Sequence, residues 1–264
     1  MTSYSIYQVN AFTNSTFGGN PAAVCPLTEW LPTETMQELA KQNNLSETAF
    51  FIPDMDIFHI RWFTPEVEID LAGHPTLATA FVIFNYLGYT KEMITFKCNS
   101  GLLYVTKKEG NLLEMNFPSR MPEKCNPPLA LIEGIGHQPQ HILKSRDYVL
   151  VYKTQKEVED FKPDFAWLNR VETMGIIATA PADGDEFDFV SRFFVPNSVI
   201  GEDPVTGSAH ASLIPYWANA LGKTIMVAKQ ISKRGGILYC EDKTNRVTIA
   251  GESILYLKGE YFLP

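Results

Sequence analysis

Arg61-Trp62-Phe63-Thr64-Pro65 returns 131 residues later as Arg192-Phe193-Phe194-Val195-Pro196. At the same offset Ala78 and Ala80 fall on Ala209 and Ala211. Leu87-Gly88-Tyr89-Thr90 then matches Leu221-Gly222-Lys223-Thr224 at an offset of 134, and Gly101-Leu102-Leu103-Tyr104 matches Gly236-Ile237-Leu238-Tyr239 at 135. One match would be chance. An ordered series with a slowly drifting offset predicts two similarly built halves.

Both halves carry the same local pattern. Residues 57–63 and 187–195 are rich in aromatic and β-branched side chains and read as strands. After a turn, 76–87 and 208–221 read as helices that are apolar nearly all round, the signature of helices wrapped by other elements. Gly88 and Gly222 stand where a helix stops. Strands follow at 94–106 and 112–117 in one half and at 236–240 and 246–250 in the other. A further helix near 33–41 has Met36, Leu39 and Ala40 on one face and ends at Asn43-Asn44. Pro118, Pro122, Pro127 and Pro128 mark the join. The expected fold is α+β: two pseudo-symmetric domains, each a curved, mostly antiparallel sheet around a central apolar helix. The boundaries are 1–118, a Pro-rich linker 119–128, and 129–264, with the last strand open to crossing into the first half.

Composition narrows the function classes. The 264 residues correspond to about 1.8 domains at ~150 residues each. Hydrophobic residues make up 45% and charged residues 20%, an ordinary globular balance. The net charge of −8 argues against nucleic acid, which calls for a clustered basic surface. It leaves room for a small anionic substrate, because a local site can oppose the overall sign. Cys25, Cys98, Cys125 and Cys240 are far apart and fit neither a zinc site nor a disulfide framework. They read as reduced, mostly buried thiols of a cytoplasmic protein. The apolar stretch 77–87 is too short to span a bilayer, so no membrane partner is expected.

The chemistry is expected where the repeat places equivalent turns: Asp70-Leu71-Ala72-Gly73-His74-Pro75-Thr76 and Gly201-Glu202-Asp203-Pro204-Val205-Thr206-Gly207-Ser208. Each brings glycine, proline and a hydroxyl residue to a helix start. Unpaired N–H groups and the dipole make such an end an anion site, and glycine admits a ligand close to the backbone. If the halves face each other, both ends meet one cleft and receive a small carboxylate. Thr76, Thr206 or Ser208 could instead simply cap its helix, and Asp203 before Pro204 could be only a turn or cap carboxylate. At the first helix start, the dipole favours neutral His74 over its imidazolium. His59 and His210 read as packing residues, and His137 and His141 lie in a polar connection. Glu47 follows the helix stop and precedes an apolar strand, 49–52. A carboxylate partly withdrawn from water holds a proton more readily, which suits proton transfer. Gly18-Gly19 is not a dinucleotide fingerprint, and no P-loop occurs.

Four ordered motifs now stand together: Phe17-Gly18-Gly19-Asn20-Pro21-Ala22-Ala23-Val24, Asn44-Leu45-Ser46-Glu47-Thr48, Ala72-Gly73-His74-Pro75-Thr76, and Gly201-Glu202-Asp203-Pro204-Val205-Thr206-Gly207-Ser208-Ala209. They resemble the PhzF (phenazine biosynthesis PhzF-like) family over essentially the whole chain. The resemblance implies the diaminopimelate epimerase fold, with the site between the halves. It implies a cofactor-independent isomerase without a metal. Glu47 would move a proton on a small carboxylated substrate, assisted by His74, Asp203 and Ser208, while Gly73, Gly207 and Asn20 would hold that substrate. It further implies a homodimer with a biosynthetic role. Amino-acid epimerases of this fold carry a cysteine at each helix entrance. At the 131 offset those positions are Ala72 and Asp203, neither a thiol, which argues against two-thiol racemisation. Two alternatives remain: an epimerase using Glu47 and Asp203, and a non-catalytic member that binds a metabolite or a protein.

Overall fold

A computed structural model describes residues 1–264. The chain divides into two compact units, Met1–Asn116 with Ala250–Pro264, and Phe117–Ile249. These bounds differ from the 1–118, 119–128 and 129–264 read from sequence. The C-terminal strand Ser253–Leu263 runs antiparallel to Thr2–Ala11, from Thr2 opposite Leu263 to Ala11 opposite Ser253. Within the proline-rich stretch, Glu123–Lys124 pairs with the strand His141–Lys144 of the second unit.

In the first unit Thr2–Ala11 also pairs antiparallel with Asn20–Pro26, which runs parallel to Glu47–Asp54. Ile57–Phe63 continues the sheet antiparallel and meets Met93–Cys98 in parallel register. The stretch read as one strand at 94–106 is a hairpin, Met93–Cys98 against Gly101–Lys107. The helix His74–Tyr86 packs on Thr2–Ala11 and Asn20–Pro26, and every residue from His74 to Ile83 is buried. Burying Leu77, Val82 and Ile83 contributes about 1.5–3 kcal/mol each. Thr33–Asn43 ends as its sequence suggests, with Asn44 left-handed at φ 50 and its N–H donating to the Ala40 carbonyl. Met36 and Ala40 are buried beside Cys25, Phe50 and Phe63.

The second unit repeats this plan. Tyr148–Val151 lies parallel to Ile176–Pro181, which pairs antiparallel with Phe189–Phe194. Phe189–Phe194 meets Ile225–Gln230 in parallel register, as Ile57–Phe63 meets Met93–Cys98. The helix Gly207–Leu221 is buried along most of its length and closes on left-handed Gly222. Pro215 lies inside it and has no N–H to give to the Ala211 carbonyl. The backbone N–H of Arg120 takes that acceptor at 2.9 Å, so the carbonyl is satisfied from outside the helix.

A matching ion pair fixes the register of the repeat. Arg61 forks onto Glu68 through Nε and Nη2, each at 2.7 Å. Arg192 forks onto Glu202 at 2.7 and 2.9 Å. The arginines are 131 apart and the glutamates 134 apart. The connection between strands therefore lengthens by three residues in the second unit, where it carries left-handed Asn197 and Gly201. From the glutamate through the helix that follows, the correspondence is 134. The 131 pairing of Ala72 with Asp203 is thus corrected: Ala72 corresponds to Thr206, Gly73 to Gly207, and His74 to Ser208. No thiol stands at either helix entrance under either register. These partly exposed pairs contribute at most ~1 kcal/mol each, so within each unit the buried helix outweighs them.

His59 is not a packing residue, since its Nε2 lies 3.2 Å from Asp54 Oδ2 at a partly exposed position. His210 is one: it is fully buried against Phe189. Cys25 and Cys240 are buried, while Cys98 and Cys125 are half-buried, and all four are free thiols. No helix is long and apolar enough to cross a membrane.

Candidate active site

In the first unit two neighbouring strand starts and one helix start bring the motif residues together. The left-handed Asn44 ends its helix and turns the chain so that Glu47 opens a strand opposite Ala22. Asn20 opens the neighbouring strand, two residues before Ala22. His74 is the first residue of its helix, behind the N-cap Gly73, where no side chain caps the end. Thr76 spends its hydroxyl on the Ala72 carbonyl instead.

The resulting contacts are short and sheltered. Nε2 of His74 lies 2.9 Å from Oε2 of Glu47, with side-chain exposures of 7% and 17%. The separation is that of an ion pair, whereas the angle falls outside that of a well-formed hydrogen bond. Such alignments commonly tighten only when substrate is bound. On the other side of the ring, Nδ1 is 3.1 Å from Nδ2 of fully buried Asn20. Asn20 Oδ1 accepts the Ser46 hydroxyl at 3.3 Å. The Asn20 amide therefore stands behind the histidine. Gly19 sets up this entry: its φ is +66, and a Cβ there would lie 2.3 Å from the Ala11 carbonyl oxygen.

In the second unit Thr206 is the N-cap of Gly207–Leu221, and it too makes no side-chain cap. Its hydroxyl donates to the Asp203 carboxylate. Gln230, fully buried, braces the turn: Nε2 donates to the Asp203 carbonyl at 2.8 Å, and Oε1 accepts the Thr206 N–H at 2.9 Å. The Ser208 hydroxyl accepts from Arg146 Nη2 at 3.0 Å. Arg146 is in turn fixed by Asp147, which is 1% exposed and takes Nε and Nη2 at 2.8–3.1 Å. Ser145 bonds Ser212 one helical turn further on, at 2.7 Å.

Both helix ends therefore keep glycine-flanked first turns that no side chain caps, and simple capping by Thr76, Thr206 or Ser208 is not their role. Each end also carries a side chain held from behind: His74 by Asn20, and Ser208 by Arg146. Inside the second helix, His210 Nδ1 lies 2.9 Å from the Thr206 carbonyl, and burial pushes its pKa down to about 4. It is a neutral structural residue. No group of three or more His, Cys, Asp or Glu side chains is placed to share a metal ion.

Sequence reasoning missed Arg146, Asp147 and Gln230. Gln230 had a legible signal, because it continues the buried alternation of Met226 and Ala228 as a polar residue. Arg146-Asp147 had none, since adjacent opposite charges in a turn ordinarily face water.

The PhzC-PhzF family, described as phenazine biosynthesis-like protein, matches residues 9–259. The chain belongs to this family. An uncharacterized isomerase of Pseudomonas aeruginosa is 47% identical over 259 residues, covering 98% of this chain and 99% of that one. A crystal structure of a PhzF family protein from Enterococcus faecalis superposes with a TM-score of 0.95 at 47% identity, over 99% of this chain and all of that one. A predicted epimerase from Pseudomonas aeruginosa shares the fold alone, with a TM-score of 0.75 at 19% identity over 99% of this chain and all of that one. Curated PhzF relatives this close are named isomerases, and isomerase is the enzyme class of this chain.

Proposed function

We propose that this PhzF-family protein shifts a proton on a small carboxylated metabolite, with Glu47 as the general base and then the general acid, and without a cofactor. The observation that carries the reading is the sheltered Glu47 carboxylate, 2.9 Å from His74 Nε2 at a helix start that no side chain caps. Glu47 takes a proton from a carbon acidified by conjugation or by an adjacent carboxylate. The C–H bond breaks and its electron pair enters the conjugated system. A new C–H bond then forms at another carbon with the proton Glu47 returns. Backbone N–H groups around Gly73 serve as donors for the substrate carboxylate and for charge that develops in the transition state, and the helix start around Gly207 offers donors of the same kind. Ser208 adds a hydroxyl oriented by Arg146, and Asp203 assists proton movement from its turn.

Proton NMR in deuterated water, run across a library of small carboxylic acids, tests the reading. Deuterium entering a new carbon position of one acid is the expected result. Return of the proton to the same carbon, seen by chiral analysis of product, would make the enzyme an epimerase. Absence of exchange across the library would leave a binding protein. The same reading includes a homodimer acting in the cytoplasm, and light scattering checks the dimer.

A further inference from the structure

We infer that Asn20 is a positioning residue that fixes His74 as the neutral Nε2–H tautomer, with that N–H beside Glu47. This role rests on the function proposed above, whereas the tautomer itself rests only on geometry. Two contacts on opposite sides of one ring agree. On one side, Nε2 lies 2.9 Å from Glu47 Oε2, an approach that suits an Nε2–H although the two atoms are not aligned for a hydrogen bond. The Asn20 amide nitrogen can only donate, so Nδ2 at 3.1 Å calls for a lone pair on Nδ1. Ser46, donating to Asn20 Oδ1 at 3.3 Å, keeps the amide in that orientation.

His210 supplies the contrast within the same chain. Its Nδ1 faces the Thr206 carbonyl at 2.9 Å, an acceptor only, so His210 is the Nδ1–H tautomer. The two buried helices thus hold histidines of opposite tautomer, each set by the group facing Nδ1.

The arrangement has a chemical consequence. A second proton on His74 Nδ1 would set N–H against N–H, so Asn20 disfavours the imidazolium. His74 then presents Glu47 with an N–H without becoming a proton store.

Long-range proton–nitrogen correlation spectra of the full chain, labelled with 15N at histidine, read the tautomers directly. His74→Gln and His210→Gln assign the two rings. The expected wild-type pattern near neutral pH is a pyridine-type Nδ1 and pyrrole-type Nε2 for His74, with the reverse for His210. An Nδ1–H ring or an imidazolium at His74 would overturn the inference. Asn20→Asp replaces the donor by an acceptor and is expected to move His74 Nδ1 into the protonated range. An unchanged ring in a variant that still unfolds cooperatively would also overturn it. If that variant does not fold, the wild-type spectrum decides alone. Neither spectrum needs turnover, so the expected tautomer in a protein that exchanges no acid would refute the proposed function and leave the tautomer standing. With an exchanging acid in hand, Asn20→Asp should lower kcat far more than it changes KM.

Discussion

His74 and Glu47 meet at 2.9 Å although 27 residues separate them, because a helix start and a strand start converge on one sheltered spot. Both side chains are mostly withdrawn from water, where an electrostatic contact weighs more than it would in solution.

Removing the proton carrier should remove the chemistry and little else. Glu47→Gln keeps the shape and loses the ability to take a proton. Turnover is expected to fall by about 10²–10⁴ or more, with the thermal midpoint within a few degrees of wild type. Deuterium incorporation by NMR measures the first and calorimetry the second. Full activity in this variant would overturn the assignment.

Arg146→Met should be costly to the fold. It leaves Asp147, at 1% exposure, as a buried charge without its partner. Breaking such a pair costs about 3–5 kcal/mol, and urea unfolding reads it. Adding Asp147→Leu removes the stranded charge and should recover most of that loss. The double variant should remain slow, because Ser208 has still lost its orienting donor.

Gln230→Leu strips the turn of Asp203 and Thr206 of its brace. A buried N–H loses its partner at about 1–3 kcal/mol, and the partly exposed Asp203 carbonyl loses its own. The expected outcome is a lower unfolding midpoint together with reduced turnover.

Gly19→Ala tests the entry to Asn20. The left-handed φ of +66 alone costs a side chain about 1–2 kcal/mol. The clash with the Ala11 carbonyl adds to this, since that atom is backbone in a central strand. Thermal unfolding should drop by several degrees, and deuterium exchange into substrate should fall with it.

Stability should carry a His210 signature in mild acid. The folded-state pKa is about 4, below the ordinary value of about 6.5. The unfolded chain therefore binds a proton that the folded chain refuses as pH falls from about 6.5 toward 4. Unfolding free energy should decline by up to ~1.4 kcal/mol per pH unit across that window. His210→Leu should flatten this limb between about pH 6.5 and 5, above the range where carboxylates titrate.

Much of the architecture was legible along the chain. The twin Arg…Pro segments, the two apolar helices and their stop glycines all express local periodicity and backbone preference, which neighbouring residues decide. The four ordered motifs likewise single out Glu47, His74, Asp203 and Ser208 as candidates. The helix starts moved by only one or two residues, to His74 and Gly207. His59 was misread because its strand position does not reveal Asp54 across the hairpin.

Amino-acid order by itself determined that the protein has two related halves, and which turns are the candidate sites. Only the tertiary structure decided what each site residue touches. The three-residue shift in the repeat shows where that limit lies. Sequence matching slid from 131 to 134 without saying where, while Arg61–Glu68 and Arg192–Glu202 place the step within one connection. The partners of His74 and Ser208 were out of reach for the same physical reason. Asn20 is 54 residues from His74, and Arg146 is 62 from Ser208. Their hydrogen bonds form only after the sheets have closed around the helices, and no local propensity along the chain records them.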